Sequence, residues 1–405
     1  MTTENTAGPP VEVDRLVTRP FFLILLFAFM FFVGIGMTLP LLPVFVKDSL
    51  GGSDIAIGVV VAIQAVSAIL VRPWINPRLA RFGAVRVIMW SAVLGALSMA
   101  LMAYAPNVLT LVILRLVLGG AQAAMFIAML STIMSWVSEW RRAEAASVFS
   151  VAPYIGLAIG PVIGQMTYKA FGFTTAFVLS GVIAVVGALP ILTLRKLDIN
   201  LGATSDGDVT TEPAPRFYSP ALLPGTVLAL GMVGMVGMSA FLPLYAPELG
   251  TLDVQWMFFF YAAVVLSVRL FGRRIPDRVG PRKTGIWSTC LIIAGLVIMA
   301  LTPSWPGLYL ALLPLAIGIA LQYPGLMALV LSDVDDRVRP SAISTFTMFF
   351  DIAQGLGGLV VGIAAALGGY RAVFGFGAMC SAIGLVILVI LVLPRYARTA
   401  PVVTK

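Results

Sequence analysis

The chain has 405 residues, of which 60% are hydrophobic and 11% are charged, and its formal net charge is +8. Soluble domains carry about 25% charged residues, so this composition excludes an ordinary soluble protein and indicates a polytopic membrane protein. The apolar runs are continuous rather than alternating, which excludes a membrane β-barrel and predicts membrane-spanning helices.

The chemistry that the residues allow is limited. The sequence has no histidine, and its two cysteines, Cys290 and Cys380, both lie in apolar runs. This excludes imidazole metal sites and imidazole proton shuttles, and we interpret the cysteines as small buried side chains. No serine has a candidate base. We therefore expect no catalytic residue, no metal site and no cofactor, and we predict that the protein is not an enzyme.

Twelve segments, taken in chain order, reach the roughly 20 apolar residues that a spanning helix needs. Several of them are joined by very short turns, which predicts antiparallel neighbours. The sequence thus predicts an all-α membrane protein with twelve transmembrane helices. We number these segments spans 1 to 12 and predict them at residues 20–46, 55–71, 87–104, 108–136, 146–168, 173–194, 221–245, 254–271, 285–302, 306–332, 341–367 and 371–393.

The basic residues predict the orientation of these spans. Of the 26 Lys and Arg residues, 21 lie in the two tails and in the loops on one side of the predicted membrane. By the positive-inside rule that side is cytoplasmic, so we predict a multi-pass protein of the plasma (inner) membrane with both termini in the cytoplasm. We assign the positive charge to these loops, and expect no nucleic-acid partner.

The chain divides into two related halves. Residues 195–220 are rich in Gly, Pro and acidic residues, and we predict a flexible cytoplasmic linker there. It separates an N-terminal six-helix bundle at 1–194 from a C-terminal six-helix bundle at 221–405. A fixed offset of 197 residues maps one half onto the other, for example Arg72 onto Arg269. Parallel repeats with a substrate site at their interface are typical of one large transporter class.

The loop between spans 8 and 9 contains Asp277-Arg278-Val279-Gly280-Pro281-Arg282. It resembles the Asp-Arg-x-Gly-x-Arg loop motif of the major facilitator superfamily, and the first-half copy keeps the Arg and Gly but has Ala80 in place of the acid. The resemblance implies that Asp277 lies near the N-terminus of span 5, around Ala143 to Ala146, in the outward-open state, since a carboxylate favours a helix N-terminus. It implies a cytoplasmic latch made of Arg81, Gly83, Asp277, Arg278, Gly280 and Arg282.

Span 5 contains a pattern of small residues, Gly156, Gly160, Pro161 and Gly164. The pattern resembles the Gly-x-x-x-Gly-Pro-x-x-Gly-Gly signature of drug–proton antiporters within the superfamily, with Gln165 replacing the last Gly. Small residues at this spacing let helices approach closely, and the proline bends the helix. The resemblance implies a proton-coupled antiporter that exports small amphipathic compounds or multiple drugs by alternating access.

Two charged residues within spans are candidates for proton coupling. Asp351 is the one carboxylate inside a predicted span, and counting from Ser341 puts it about 15 Å into a core about 30 Å thick. Burial there disfavours the charged form. Arg115 lies in a Leu-x-x-x-Arg-x-x-x-Gly pattern that resembles a superfamily motif implicated in proton transfer. The structural alternatives are a snorkelling Arg115 and an Asp351 that is permanently hydrogen-bonded at a helix interface.

A polar stripe accompanies Asp351. Ser344, Thr347, Asp351, Gln354 and Gly358 recur every three or four residues and therefore share one face of span 11. Such a face must meet protein or water, so we predict that it lines a central cavity. Tyr154 of span 5 corresponds to Asp351 at the 197-residue offset. The candidate cavity and substrate residues are Gln122, Tyr154, Gln322, Thr347, Phe350 and Gln354.

The superfamily resemblance also implies that spans 1, 4, 7 and 10 line the cavity, flanked by spans 2, 5, 8 and 11. The expected partners are a small-molecule substrate, protons and the lipid bilayer, and we expect a monomer. Three alternatives to an exporter stay open at this point: an importer, a transporter of lipids or metabolites, and a transporter-like sensor without flux.

Overall fold

The computed structural model describes residues 18–137, 141–196, 218–272, 275–332, 334 and 338–397, and all regular structure within these ranges is helical. Short 3-10 or π-helical turns extend several of the helices. The α-helices are α1 (Arg19–Val44), α2 (Asp54–Val71), α3 (Ile75–Phe82), α4 (Ala84–Leu101), α5 (Val108–Trp136), α6 (Arg142–Ala188), α7 (Leu222–Glu248), α8 (Val254–Phe271), α9 (Ile275–Val279), α10 (Pro281–Leu301), α11 (Trp305–Leu331), α12 (Arg339–Ile387) and α13 (Leu393–Ala397).

Within the described residues, ten helical stretches are long and apolar enough to cross a membrane. Two of the helices concerned, α6 with 47 residues and α12 with 49, are too long for one pass, at roughly 70 Å each. Each is broken by a glycine with a positive φ, Gly172 at 81° and Gly369 at 73°, where a side chain would be strained. Each therefore contains two passes, and the prediction of twelve spans is confirmed.

The predicted spans correspond to the helices as follows. Spans 1, 2, 3 and 4 are α1, α2, α4 and α5; spans 5 and 6 are the parts of α6 before and after Gly172; spans 7, 8, 9 and 10 are α7, α8, α10 and α11; spans 11 and 12 are the parts of α12 before and after Gly369. The short helices α3 and α9 follow spans 2 and 8. We call the side on which they lie, predicted to be cytoplasmic, the inner side.

The two halves repeat their local geometry at the predicted offset. Gly83 and Gly280 precede spans 3 and 9 with φ and ψ of 80° and 154°, and of 91° and 146°. Asn107 caps span 4 and Ser304 caps span 10, each accepting a hydrogen bond from the backbone N–H three residues later. The fold is a pair of pseudo-symmetric six-helix bundles. Most of the predicted linker, 197–217, lies outside the described residues, so the division at 194 and 221 stays a prediction.

Contacts within and between the bundles define where a site can form. Within the bundles α1 packs on α6, α4 on α5, α7 on α12 and α10 on α11. Between the bundles α2 packs on α12, α6 on α8 and α1 on α7. Spans 2, 5, 8 and 11 therefore provide much of the interface between the halves. That spans 1, 4, 7 and 10 line a cavity between them stays a prediction.

The small residues of span 5 bring it against span 1. A Cβ placed on Gly160 would lie 2.5 Å from the Val33 carbonyl oxygen and 2.6 Å from the Gly36 Cα, and one on Gly164 would lie 2.5 Å from the Met37 carbonyl oxygen. These distances leave room for a hydrogen atom only, so the two helices pack backbone to backbone. The structure thus shows the close approach, while a role of the motif in transport stays a prediction.

Candidate functional site between the bundles

Spans 2 and 11 touch at backbone distance in their outer halves. A Cβ on Gly362 would lie 2.7 Å from the Gly58 Cα, and one on Gly358 would lie 2.9 Å from the Ala62 nitrogen. A Cβ on Gly355, further inward, would find its nearest atom 3.4 Å away. The two helices therefore diverge towards the inner side, and small residues close the outer side of the interface.

Asp351 lies on the same face of span 11, one turn further inward than Gly355. Its carboxylate forms an ion pair with the Arg72 guanidinium, which follows span 2 directly. The side chains of Arg72 and Asp351 are 41% and 27% exposed, so the pair is partly shielded from solvent. It joins the N-terminal bundle to the C-terminal bundle.

The ion pair shows the level of Asp351 relative to span 2. It places Asp351 opposite the inner end of span 2, rather than at the middle of that span. Span 11 continues inward from Asp351 for roughly 18 Å to Arg339, and Gly369 at its outer end is roughly 27 Å away. Asp351 is therefore closer to the inner end of span 11 than to its outer end, and its position at the membrane midplane stays a prediction.

The other half contains the counterpart of this pair. The 197-residue offset maps Arg72 onto Arg269 and Tyr154 onto Asp351, and Arg269 also contacts Tyr154 across the bundles: its Cζ lies 4.0 Å from the centre of the Tyr154 ring. This is the geometry of a cation–π interaction. The Nε of Arg269 is buried without a hydrogen-bond partner, and no carboxylate pairs with Arg269 among the described residues.

Aromatic rings extend from this contact. The rings of Tyr154 and Tyr323 are 6.1 Å apart, and those of Tyr323 and Phe346 are 5.5 Å apart, so spans 5, 10 and 11 meet here. Sequence reasoning missed Arg72, Arg269 and Tyr323 as site residues. The signal that could have found the first two was the offset itself, because it pairs both arginines and both of their partners.

Arg115 does not lie beside Asp351. It is buried, and its Nε donates to the Val60 carbonyl at 3.0 Å while its Nη2 is 3.5 Å from the Val61 carbonyl. These carbonyls are in the outer half of span 2, roughly 13 Å along the helix from the level of Asp351. The geometry favours the structural alternative for Arg115, and its role in proton coupling stays a prediction.

We expect Arg115→Lys to act on stability rather than on coupling. Lysine keeps the charge but lacks the fork that reaches two adjacent carbonyls. Losing a charged hydrogen bond in the interior costs about 1.5–3 kcal/mol, so the melting temperature of the purified protein should fall by several degrees. Thermal unfolding in detergent measures this. A variant with unchanged melting but without a response to a pH gradient would instead support a coupling role.

The remaining predicted cavity residues are dispersed. Gln122 lies between spans 2 and 4, where its Oε1 accepts a hydrogen bond of 2.5 Å from Gln64. Gln322 is fully buried, and neither of its amide atoms has a hydrogen-bond partner. The Thr347 hydroxyl is 2.9 Å from the Ile343 carbonyl of its own helix. Phe350 and Gln354 are partly buried on span 11. Of the predicted cavity and coupling residues, Tyr154 and Asp351 are those that the described contacts connect to Arg269 and Arg72.

The latch motif can be described only in part. Arg81 lies over the Phe82 ring at 5.2 Å, Arg278 is exposed, and Arg282 donates to the Tyr396 carbonyl at 2.5 Å. Gly83 and Gly280 form the turns described above. The side chains of Asp277, Ala143 and Ala146 lie outside the described part of the chain, so the contact between Asp277 and span 5 stays a prediction.

A second ion pair joins the bundles at the outer side. The Lys169 ammonium group donates to Asp253 at 2.5 Å, connecting span 5 to the start of span 8. This hydrogen bond, with a second from Gln255, lowers the pKa of Asp253 below the usual value for an aspartate. Asp253 is therefore ionised throughout the physiological pH range and is poorly suited to carry a proton.

A profile of the Major Facilitator Superfamily matches residues 24–253 and 222–405, which together cover nearly the whole chain. The chain belongs to the Major Facilitator Superfamily. Members of this superfamily are transporters, so the protein is a multi-pass membrane transporter and not an enzyme. The superfamily fold agrees with the twelve spans and the repeat described above.

Bacterial transporters that are similar in sequence align with this chain over nearly its full length. An uncharacterized MFS-type transporter of Salmonella typhimurium is 26% identical over 371 residues, covering 88% of this chain and 92% of its own. Another, from Pseudomonas aeruginosa, is 26% identical over 415 residues, covering 96% of this chain and 98% of its own.

Solved structures share the fold at lower identity. A mutant of the peptide transporter POT in complex with alafosfalin has a TM-score of 0.74 at 14% identity, covering 93% of this chain and 95% of its own. The nucleoside transporter NupG has a TM-score of 0.72 at 14% identity, covering 92% and 98%. At these identities the likeness establishes the architecture, and the residues of this chain must supply any argument on substrate.

Proposed function

We propose that this superfamily member is a proton-coupled secondary active transporter that moves small amphipathic compounds by alternating access. The observation that carries the proposal is the ion pair between Arg72 and Asp351, which bridges the bundles at the inner side. Asp351 attracts Arg72 only while it is ionised. Protonation removes that attraction, so the occupancy of one proton site is coupled to the separation of the two bundles.

The contacts on either side of the pair support a rocking motion. The outer halves of spans 2 and 11 are in backbone contact at Gly58 and Gly362, whereas the inner ends are held by long side chains across a wider gap. Neutralising Asp351 favours opening of the inner side. Ionising it favours closure there, and separation of the outer contacts then exposes the site to the other face of the membrane.

Export in exchange for protons is the direction we propose. When Asp351 takes up a proton from outside, Arg72 is released and the inner side opens. The proton then leaves Asp351 to the inside. The ionised pair then closes the inner side around a bound compound, which departs outward. The span 5 motif that resembles the drug–proton antiporter signature supports this direction and a multidrug substrate range. Bacterial relatives support an inner-membrane location, and the basic loops support cytoplasmic termini. We also propose a monomer as the working unit.

A second candidate is uptake together with protons, and a specific observation favours it. Because Asp351 is already paired with Arg72, protonation also frees a guanidinium that a negatively charged compound can bind. Proton and substrate would then bind together rather than in turn. The two candidates differ in the direction of the pH gradient that drives accumulation.

Purified protein in liposomes tests the proposal. A panel of radiolabelled amphipathic compounds is assayed first for exchange without a gradient, and then for accumulation with the lumen either more acidic or more alkaline than the bath. We expect the labelled compound to exchange both with and without a pH gradient. We expect accumulation against a gradient of substrate only when a pH gradient is present. The polarity that drives accumulation, with the orientation of the protein known, selects export or uptake. A sensor shows no exchange, and accumulation without a pH gradient contradicts proton coupling.

A further inference from the structure

The counterpart of the Arg72–Asp351 pair contains a cation, Arg269, but no carboxylate. In the first pair Asp351 neutralises Arg72, whereas in the second the position equivalent to Asp351 holds Tyr154, a phenol. Among the described residues the two pairs together therefore carry one uncompensated positive charge, on Arg269. The pseudo-symmetry makes this a difference in chemistry at matched positions.

The described groups that surround Arg269 do not supply a negative charge. Tyr154 presents its ring from span 5, Tyr323 contributes from span 10, and Tyr261 lies on the same span as Arg269. All three are neutral phenols. The buried Nε of Arg269 has no hydrogen-bond partner, so one donor of the guanidinium is unused. A partly buried cation with an unused, buried donor favours an anionic ligand, because the ligand repays the hydration that burial has removed.

The aromatic rings beside Arg269 indicate the chemistry of the part of the ligand that does not carry the charge. Tyr154 and Tyr323 stand edge to face beside Arg269, and Phe346 continues the row towards span 11. Rings of this kind bind flat apolar groups, and a guanidinium held against a ring remains available at its edge for an acidic group. A cationic ligand is disfavoured, because it would meet Arg269 and would have to displace Arg72 from Asp351.

We infer that the transported compound is an amphipathic organic anion, whose acidic group binds Arg269 and whose apolar body lies against Tyr154 and Tyr323. The inference rests on the proposed transport function and holds for either direction of transport. It narrows the substrate class from amphipathic compounds in general to carboxylates, sulfonates and similar anions.

Four probes with one aromatic body test this charge preference: 2-naphthoate, 2-naphthalenesulfonate, 2-naphthamide and 2-naphthylmethylammonium. Binding to the purified protein is measured by calorimetry at neutral pH with no membrane and no gradient. We expect the two anions to bind about tenfold more tightly than the amide and the ammonium compound. Equal binding of the four probes, or tighter binding of the ammonium compound, overturns the inference.

Variants locate the preference at Arg269. Arg269→Gln should abolish it, Arg269→Lys should retain part of it, and Tyr154→Glu, which gives the second pair the acid that the first has, should reverse it towards the ammonium compound. Lys169→Gln is the matched control, since it removes a cross-bundle cation at the outer side, and it should leave the preference unchanged. Loss of the preference in Lys169→Gln but not in Arg269→Gln places the anion elsewhere and contradicts the assignment.

These results are independent of proton coupling. If the four probes bind equally while a pH gradient still drives transport of some compound, the substrate class is wrong and the proposed function stands. If the anions bind preferentially but a pH gradient drives nothing, the substrate class stands and the coupling is wrong. Size-exclusion profiles of each variant exclude misfolding as the cause of lost binding.

Discussion

Asp351→Asn is expected to abolish accumulation driven by a pH gradient while leaving exchange without a gradient intact. Asparagine keeps the shape of the side chain and can accept a hydrogen bond from Arg72, but it cannot take up a proton. With one proton coupled to each substrate molecule, a gradient of one pH unit gives about tenfold accumulation, because one unit corresponds to about 1.36 kcal/mol. In the variant the accumulation ratio should be about one. Liposome flux with a labelled substrate measures both quantities.

Asp253→Asn is the matched control for this experiment. It also removes a carboxylate from an ion pair between the bundles, but the partner of Asp253 is Lys169 and the pair lies at the outer side. Because Lys169 holds the pKa of Asp253 below its ordinary value, this group does not exchange protons in the working range. The control should accumulate substrate as the unaltered protein does. Accumulation by Asp351→Asn equal to that of the control would show that another group carries the proton.

Gly362→Leu is expected to trap the transporter open to the outside. A Cβ at this position would lie 2.7 Å from the Gly58 Cα and 2.8 Å from the Asp54 carbonyl oxygen, which is closer than a carbon atom can approach. Overpacking of this kind costs about 1–3 kcal/mol in the state that contains the contact, which shifts a two-state population about 5- to 150-fold. The outer contact between spans 2 and 11 should therefore separate. The transport rate should fall in proportion to the population of the state that contains this contact.

A reporter cysteine at Ala62, which faces Gly358, measures this shift in a background without Cys290 and Cys380. Its reaction with a membrane-impermeant maleimide added from the outside should become at least about fivefold faster in Gly362→Leu. The control is Gly375→Leu on span 12, where a Cβ would meet nothing within 4 Å. In this variant the labelling rate of the reporter cysteine at Ala62 should not change. Equal labelling of the two variants would mean that the glycine contact does not open during transport.

The sequence by itself determined the architecture, for reasons that lie in the membrane. A bilayer offers no hydrogen bonds, so apolar runs of this length must be helices, and the number of spans follows from the number of runs. The repeat was visible because the positions that recur, such as Gly83 and Gly280, perform backbone tasks that few other residues can perform. The small residues of span 5 likewise predicted a close helix contact, which the structure shows against span 1.

Only the tertiary structure decided which side chains meet. Arg72 and Asp351 are 279 residues apart in the sequence, and their ion pair exists because the glycines of spans 2 and 11 fix the register between the two bundles. The same register separates Asp351 from Arg115, the other candidate for proton coupling. It also places Gln122 in a hydrogen bond with Gln64. Hydrophobicity cannot specify such pairings, since lipid is as apolar as a neighbouring helix and the face that each span presents is set by packing. The missing counter-charge of Arg269, as far as the structure describes its surroundings, became visible for the same reason: a charge is compensated only by the groups that the fold places around it.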